Sequence, residues 1–289
     1  NVTFINALQN FNVTWRFWAN DTSNNWNSTD LQSFIVSVNC TGTPPPLIYG
    51  QNWTINDTTV CISRNIMLNG NLTIQPYGNL TLKNVTLFFN NSISNFWSGL
   101  KVAGFGNLTI DDLDDTTATM NDASNISVMN LKSATNNRTS FNIYPNAKFI
   151  MKNSRMSGFG TSSTNGILIG TPSIISNNSF EKMSAIRFIV PANQSNFTSN
   201  YILTETAYAT YGILLDQNAT WANNPLQNIT ISYNNITGPN NGMDLRGVRF
   251  TDGLLVRNNK LLLTGSNSIG ILVVPQTTNA FFYNNSVIL

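Results

Sequence analysis

Histidine is missing altogether from these 289 residues. That excludes Ser-His-Asp and Cys-His arrangements for acyl transfer and metal sites built on imidazole. It also leaves no side chain whose ordinary pKa falls in the usual physiological window. Charge is scarce as well: Asp, Glu, Lys and Arg make up 10% of the chain, against a usual quarter or so. A net charge of +2 offers no basic field for nucleic acid or an acidic membrane surface. No apolar run approaches the length of a transmembrane helix. The longest, such as Ile269-Gly270-Ile271-Leu272-Val273-Val274, are strand-sized. No signal peptide is visible, and the chain opens on a glycosylation acceptor at Asn1, as expected of a mature chain whose leader has been removed.

Cysteine is nearly absent too, with Cys40 and Cys61 the only two. Beside many glycosylation signals they point to an oxidising, extracellular setting and one disulfide, whose loop of about twenty residues would stabilise by ~3 kcal/mol.

What the chain has in abundance is asparagine, serine and threonine. The stretch Gly70 to Phe89, GNLTIQPYGNLTLKNVTLFF, repeats Asn-apolar-Thr-apolar three times: Asn71-Leu72-Thr73-Ile74, Asn79-Leu80-Thr81-Leu82 and Asn84-Val85-Thr86-Leu87. Alternate side chains of a strand point to opposite faces, so Leu72 and Ile74 turn inward while Asn71 and Thr73 turn out. Asn-x-Thr is also the acceptor signal for N-linked glycosylation. One pattern thus specifies a buried strand face and a sugar-bearing outer face. About 48 Asn with about 58 Ser and Thr would give roughly ten such sequons by chance, and about twenty-one are present. The expected glycosylation sites are Asn1, Asn12, Asn20, Asn27, Asn39, Asn52, Asn56, Asn71, Asn79, Asn90, Asn107, Asn125, Asn137, Asn177, Asn193, Asn196, Asn218, Asn228 and Asn284. Apart from such covalent glycans, no cofactor and no metal is expected.

Residues 1–65 are dense in aromatics, including Phe4, Phe11, Trp15, Phe17, Trp18, Trp26, Phe34 and Trp53. The segment reads as an irregular β cap, with the rings in a core rather than forming a sugar platform. From residue 66 to 289 the chain is a string of short strands broken by Gly and Asn. Asn or Asp recurs at positions 84, 112, 130, 153, 178, 200, 235, 259 and 285, on average about 25 residues apart, within the range of solenoid repeats. Asn tolerates left-handed backbone geometry, and its amide can hydrogen-bond to the same Asn of the next repeat. These features predict an all-β chain, a parallel β-helix of about nine rungs, on the order of 40 Å long, with Asn at its corners. An inward corner amide cannot carry a glycan, so Asn84 and Asn235, each both corner candidate and sequon residue, are expected to be poorer acceptors.

The segments GNLTIQPYGNLTLKNVTLFF, SGLKVAGFGNLTI, NAKFIMKNSRMSG and NGILIG resemble secreted right-handed parallel β-helix proteins, especially archaeal surface proteins of the broad pectate-lyase-like group. The resemblance covers roughly residues 65 to 289 and implies fold more than activity.

Two clusters of charged residues could carry chemistry. Asp111, Asp112, Asp114 and Asp115, with Asp122 nearby, suit Ca²⁺ or one half of a hydrolase pair, but a solvated turn is the favoured reading. Asp244, Arg246, Arg249 and Asp252 suit a lyase base, although an exposed ion pair accounts for them as well. The expected protein is therefore structural rather than enzymatic. Its last segment, Ala280 to Leu289, reads as an interior rung without a cap, to which the aromatic N-terminal segment of another copy could add strands. The expected partners are copies of itself in a head-to-tail filament or surface layer. The alternatives are an adhesin binding surface glycans and a polysaccharide lyase or hydrolase.

Overall fold

A computed structural model describes residues 12–35, 40–46, 51–90, 99–114, 123–129, 139–160, 167–183, 185–189, 192–204, 211–216, 226–238, 241–245, 253–265, 268–273 and 279–289, with residues 12–15, 32–35 and 129 described by backbone alone. Every regular element among them is a β-strand. The chain divides into two compact units, Asn1–Asn39 and Cys40–Leu289.

The first unit is a nested antiparallel hairpin. Asn12–Trp15 pairs with Gln32–Ile35, and Trp18–Asn20 pairs with Trp26–Ser28. Its turn is held by Asp21, whose carboxylate accepts from the backbone N–H groups of Ser23 and Asn25 and from the Asn25 amide, each at 2.9 Å. Those bonds, the Asn25 side chain foremost, hold the Asp21 carboxyl below its ordinary pKa. Phe17, Trp18 and Trp26 are exposed. Aromatic density predicts a core for this region. A two-stranded ribbon by itself cannot bury both of its faces, and among the described side chains of that aromatic set Trp53, further along the chain, is the buried one.

The second unit consists of large parallel sheets. One has nine strands in sequential order: Trp53–Ile55, Leu72–Ile74, Gly99–Val102, Ser140–Ile143, Ile167–Ile169, Ile186–Ile189, Tyr211–Asp216, Asn241–Asp244 and Ile271–Leu272. A second parallel series runs from Thr58–Leu68 through Asn79–Asn90, Asn107–Asp111, Lys148–Lys152, Ser173–Ser176, Asn196–Thr198, Thr230–Ser232 and Leu254–Arg257 to Ala280–Tyr283. The same two long strands begin a third series, continued by Asn125–Met129, Arg155–Ser157, Ser179–Met183, Tyr201–Thr204, Asn235–Gly238, Lys260–Leu263 and Ser286–Ile288.

Register makes the core. In the second series Cys61, Leu82, Ile110, Met151, Ile175, Phe197, Ile231, Val256 and Phe282 pair in one unbroken column. All but the last are buried, as the alternation of apolar and polar residues requires. Phe180, Phe188 and Phe197 meet at ring-centroid distances of 5.9–6.0 Å, filling the interior with large side chains. Near the start of the unit, Cys40–Thr41 runs antiparallel to Val60 and Cys61, and Cys40 and Cys61 form the disulfide. Residues 53 to 65, grouped with the cap in the sequence reading, pair within these parallel sheets. Among the described residues no helix is long and apolar enough to cross a membrane.

Candidate functional site

The outer surface of the parallel sheets carries the asparagines that the sequence marks, and the corners beneath it decide which face outward. Two columns of residues run through one corner. The first has a left-handed backbone: Ser63, Asn84, Asn153, Asn177, Ser199, Tyr233, Asn258 and Asn284 all have positive φ. The second is the residue that follows, and from Asn178 onward it is a ladder of buried amides. Asn178 donates from its backbone N–H and its Nδ2 to Asn200 Oδ1, each at 3.0 Å. Asn200 does the same to Asn234, Asn234 to Asn259, and Asn259 to Asn285, at 2.9–3.1 Å. Each Nδ2 also donates to a strand carbonyl, as Asn200 does to Ile175 at 3.0 Å. A buried amide with all its groups engaged contributes stability, whereas one with missing partners costs it.

The sequence reading gave both tasks, left-handed turn and stacked amide, to one residue. The structure gives them to two neighbours, because the residue in the left-handed turn cannot also point its side chain into the corner. Asn178, Asn200, Asn259 and Asn285 lie on the amide ladder as expected. Asn84 and Asn153 belong instead to the left-handed column. Position 235 is corrected by one: Asn234 is the buried corner and Asn235 is exposed. A signal for this was present in the sequence. From Asn178 to Asn259 each corner residue stands two before a buried apolar one: Asn178 and Phe180, Asn200 and Ile202, Asn234 and Ile236, Asn259 and Leu261. Asn235 stands two before Thr237 and fails that test. The reason for expecting Asn235 to be a poor acceptor therefore falls away. Position 130 lies outside the described residues.

Among the expected acceptors, Asn20, Asn27, Asn52, Asn56, Asn196, Asn228 and Asn284 are exposed, and Asn71, Asn79, Asn90, Asn107, Asn125, Asn177 and Asn193 are partly exposed. Asn1, Asn39, Asn137 and Asn218 lie outside the described residues, as does the side chain of Asn12. Several acceptor amides already have partners: Asn177 Nδ2 donates to Asn153 Oδ1 and Asn90 Nδ2 to Asn69 Oδ1, both at 2.8 Å. An N-glycosylated amide keeps one N–H, so these bonds and a glycan are chemically compatible.

The acidic cluster divides. Asp111 and Asp112 are buried and Asp114 is exposed, while Asp115 and Asp122 lie outside the described residues. A wholly solvated turn does not describe the first two. The strand Asn107–Asp111 carries them into the corner, where Asn153 Nδ2 donates to Asp112 Oδ1 at 3.1 Å and Ser124 Oγ donates to the Asp111 carbonyl at 2.6 Å. Asp112 thus takes the place of an amide at the end of a short chain of bonds from Asn177 through Asn153. Among the described residues no group of three acidic, Cys or His side chains could hold a metal ion.

Of the second cluster, Asp244 is buried on Asn241–Asp244, while Arg246, Arg249 and Asp252 lie outside the described residues. An ion pair that the sequence did not suggest, Arg187 with Asp216, joins neighbouring strands of the nine-stranded sheet. Its partners are 29 residues apart, so only strand pairing brings them together. At the start of the second unit Asp57 accepts from Thr59 Oγ1 at 2.7 Å and Thr43 Oγ1 at 3.0 Å, and these bonds lower its pKa, Thr59 most.

Comparison of the chain with protein-family models, with curated proteins and with solved structures found no match.

Proposed function

We propose that this chain is a glycosylated, secreted structural protein, a right-handed parallel β-helix that assembles with copies of itself into an extracellular filament or surface layer. Each series of parallel pairings advances in sequence order, and a crossover between parallel strands of one sheet is right-handed in nearly all proteins. The three series then form three walls of one coil, with the outward Asn and Thr columns as its sugar-bearing skin. The likeness to archaeal surface proteins of the pectate-lyase-like group belongs to the same reading.

The observation that carries the assembly is the exposed aromatic hairpin. Trp18 is 60% and Trp26 62% exposed, and among the described residues Asn12–Trp15 and Gln32–Ile35 pair only with each other. Exposed apolar side chains beside unpaired strand edges mark an interaction surface and are the template that β-strand addition uses. A parallel sheet edge of a second copy would receive the hairpin, a head-to-tail contact that does not close and therefore propagates. Electron microscopy of the purified glycoprotein tests this: filaments or sheets are expected, and separate monomers at every concentration would overturn it.

A second reading is favoured by the exposed Trp18 and Trp26: an adhesin whose hairpin binds surface glycans. Glycan-array binding by monomers, lost on Trp18→Ala, would select it over assembly.

A further inference from the structure

Sixteen non-glycine residues among those described have positive φ. Most are Asn, which tolerates that region. Three are aromatic: Tyr77 at 68°, Phe105 at 65° and Tyr233 at 58°. All three are also open to solvent, at 79%, 56% and 55% exposure. A bulky ring gains nothing from a left-handed turn; Tyr77 and Phe105 stack on each other at a centroid distance of 5.8 Å and Arg257 lies 5.6 Å from the Tyr233 ring centroid, yet these contacts leave more than half of each residue in water.

Two residues beyond each ring stands a sequon asparagine: Asn79-Leu80-Thr81, Asn107-Leu108-Thr109 and Asn235-Ile236-Thr237. Of the other thirteen residues with positive φ, only Gln194, before Asn196, has a sequon at that offset. The remaining twelve have none, and none of them is aromatic.

One column provides its own control. Tyr77, Phe105 and Asn146 occupy the same turn position in successive repeats: the Tyr77 N–H donates to the Phe105 carbonyl and the Phe105 N–H to the Asn146 carbonyl, at 3.1 and 2.9 Å. Two residues on, the strands pair Asn79 with Asn107 and Asn107 with Lys148. Where the outward residue is a sequon Asn the turn carries a ring, and where it is Lys148 the turn carries Asn146. Between ring and acceptor stands Gly78 or Gly106. A Cβ on Gly78 would lie 2.4 Å from the Ile55 carbonyl oxygen, so the chain must run close to its neighbour here.

We propose that Tyr77, Phe105 and Tyr233 are seats for the glycans on Asn79, Asn107 and Asn235, the C–H face of the first pyranose lying on the aromatic ring. The proposal rests on the glycoprotein reading above. Ring faces carry partial negative charge and pyranose C–H groups partial positive, and both surfaces leave water on contact. Ring and acceptor are two residues apart, at most about 7 Å between Cα atoms, within the span of one sugar. The seated sugar covers an otherwise exposed ring and fixes the direction in which the rest of the glycan leaves the surface. The hairpin unit has a strand version of the pairing: Trp18, exposed, stands two before Asn20 on the same face, with Trp26 directly across from Asn20.

The test uses the protein carrying its native glycans. Glycopeptide mass spectrometry first reads occupancy at Asn79, Asn107 and Asn235. Thr81→Ala with Thr109→Ala then abolishes both sequons while leaving the asparagines, in the natural background and in one carrying Tyr77→Ser with Phe105→Ser. Sequon loss is expected to lower Tm by about 2–4 °C in the natural background and by less than about 1 °C without the rings. Proton NMR is expected to show C–H signals of the sugars on Asn79 and Asn107 shifted upfield by the ring current in the natural background and not in the one lacking Tyr77 and Phe105. Bare asparagines at all three positions would overturn the seats together with glycosylation there. Occupied sites with equal Tm losses in both backgrounds and unshifted sugar protons would overturn the seats and leave glycosylation standing.

Discussion

The corner column solves one problem differently in its earlier and later halves. Up to Ser154 the buried corner residues are Val85, Ser124 and Ser154, and hydroxyls do the bonding. Ser124 Oγ accepts from the Val85 N–H at 3.1 Å and donates to the Asp111 carbonyl, and Ser154 Oγ donates to the Lys152 carbonyl at 2.6 Å. From Asn178 to Asn285 each corner is an amide engaged with repeats on both sides or, at Asn285, with the one before it. A hydroxyl satisfies its immediate surroundings, whereas an amide with two donors and a two-lone-pair acceptor links three repeats. The earlier half has a covalent tie instead, the Cys40–Cys61 disulfide at its outer edge. The later half is thus held by a continuous chain of amides, and the earlier half by shorter inter-repeat bonds and one crosslink.

The largest expected effect tests the ladder. Asn200→Ala leaves the buried Asn178 N–H without its acceptor, takes one of two acceptors from Asn178 Nδ2 and removes a donor from the Ile175 carbonyl, and should cost about 3 kcal/mol in urea unfolding. If it costs no more than Ser124→Ala, the two halves do not differ. Replacing Cys40 and Cys61 by Ser should cost ~3 kcal/mol, and limited proteolysis should then open the earlier half before the later one. Ser124→Ala is expected to cost about 1–3 kcal/mol, since it leaves the buried Val85 N–H without its acceptor. Asn285→Ala should cost about 1 kcal/mol, because it is only partly buried and has ladder partners on one side. The smallest effect is that of pH. The carboxyls of Asp21 and Asp57 are held below their ordinary pKa in the fold, so their contribution is present above about pH 4 and lost as pH falls through the lowered values. With no histidine, Tm should stay level from about pH 5 to 8, and a step there would break this expectation.

Much of the inward face was legible. The repeats of Asn-apolar-Thr-apolar placed Leu72, Ile74, Leu80, Leu82, Val85 and Leu87 inside, and all are buried. Asn178, Asn200, Asn259 and Asn285 were legible because Asn follows the end of a strand at a spacing of about 25 residues. Asn234 was missed by one residue, since a double Asn gives two candidate frames and only its flanking apolar residue separates them. The burial of Asp111 and Asp112 was hidden because their partners Ser124 and Asn153 come from later strands. The exposure of Trp18 and Trp26 was equally hidden, since aromatic density says nothing about whether a second layer exists to cover the rings.

The sequence alone determined which strand faces are apolar, that two cysteines were available to pair, and where glycosylation signals stand. Each of these is local, set by side-chain alternation and by short motifs. Only the tertiary structure decided which asparagine of a pair enters the corner, that Arg187 meets Asp216, and that Tyr77 and Phe105 share one turn column. Those outcomes depend on register between strands some twenty to forty residues apart, and register is fixed by the burial of whole columns rather than by any one residue.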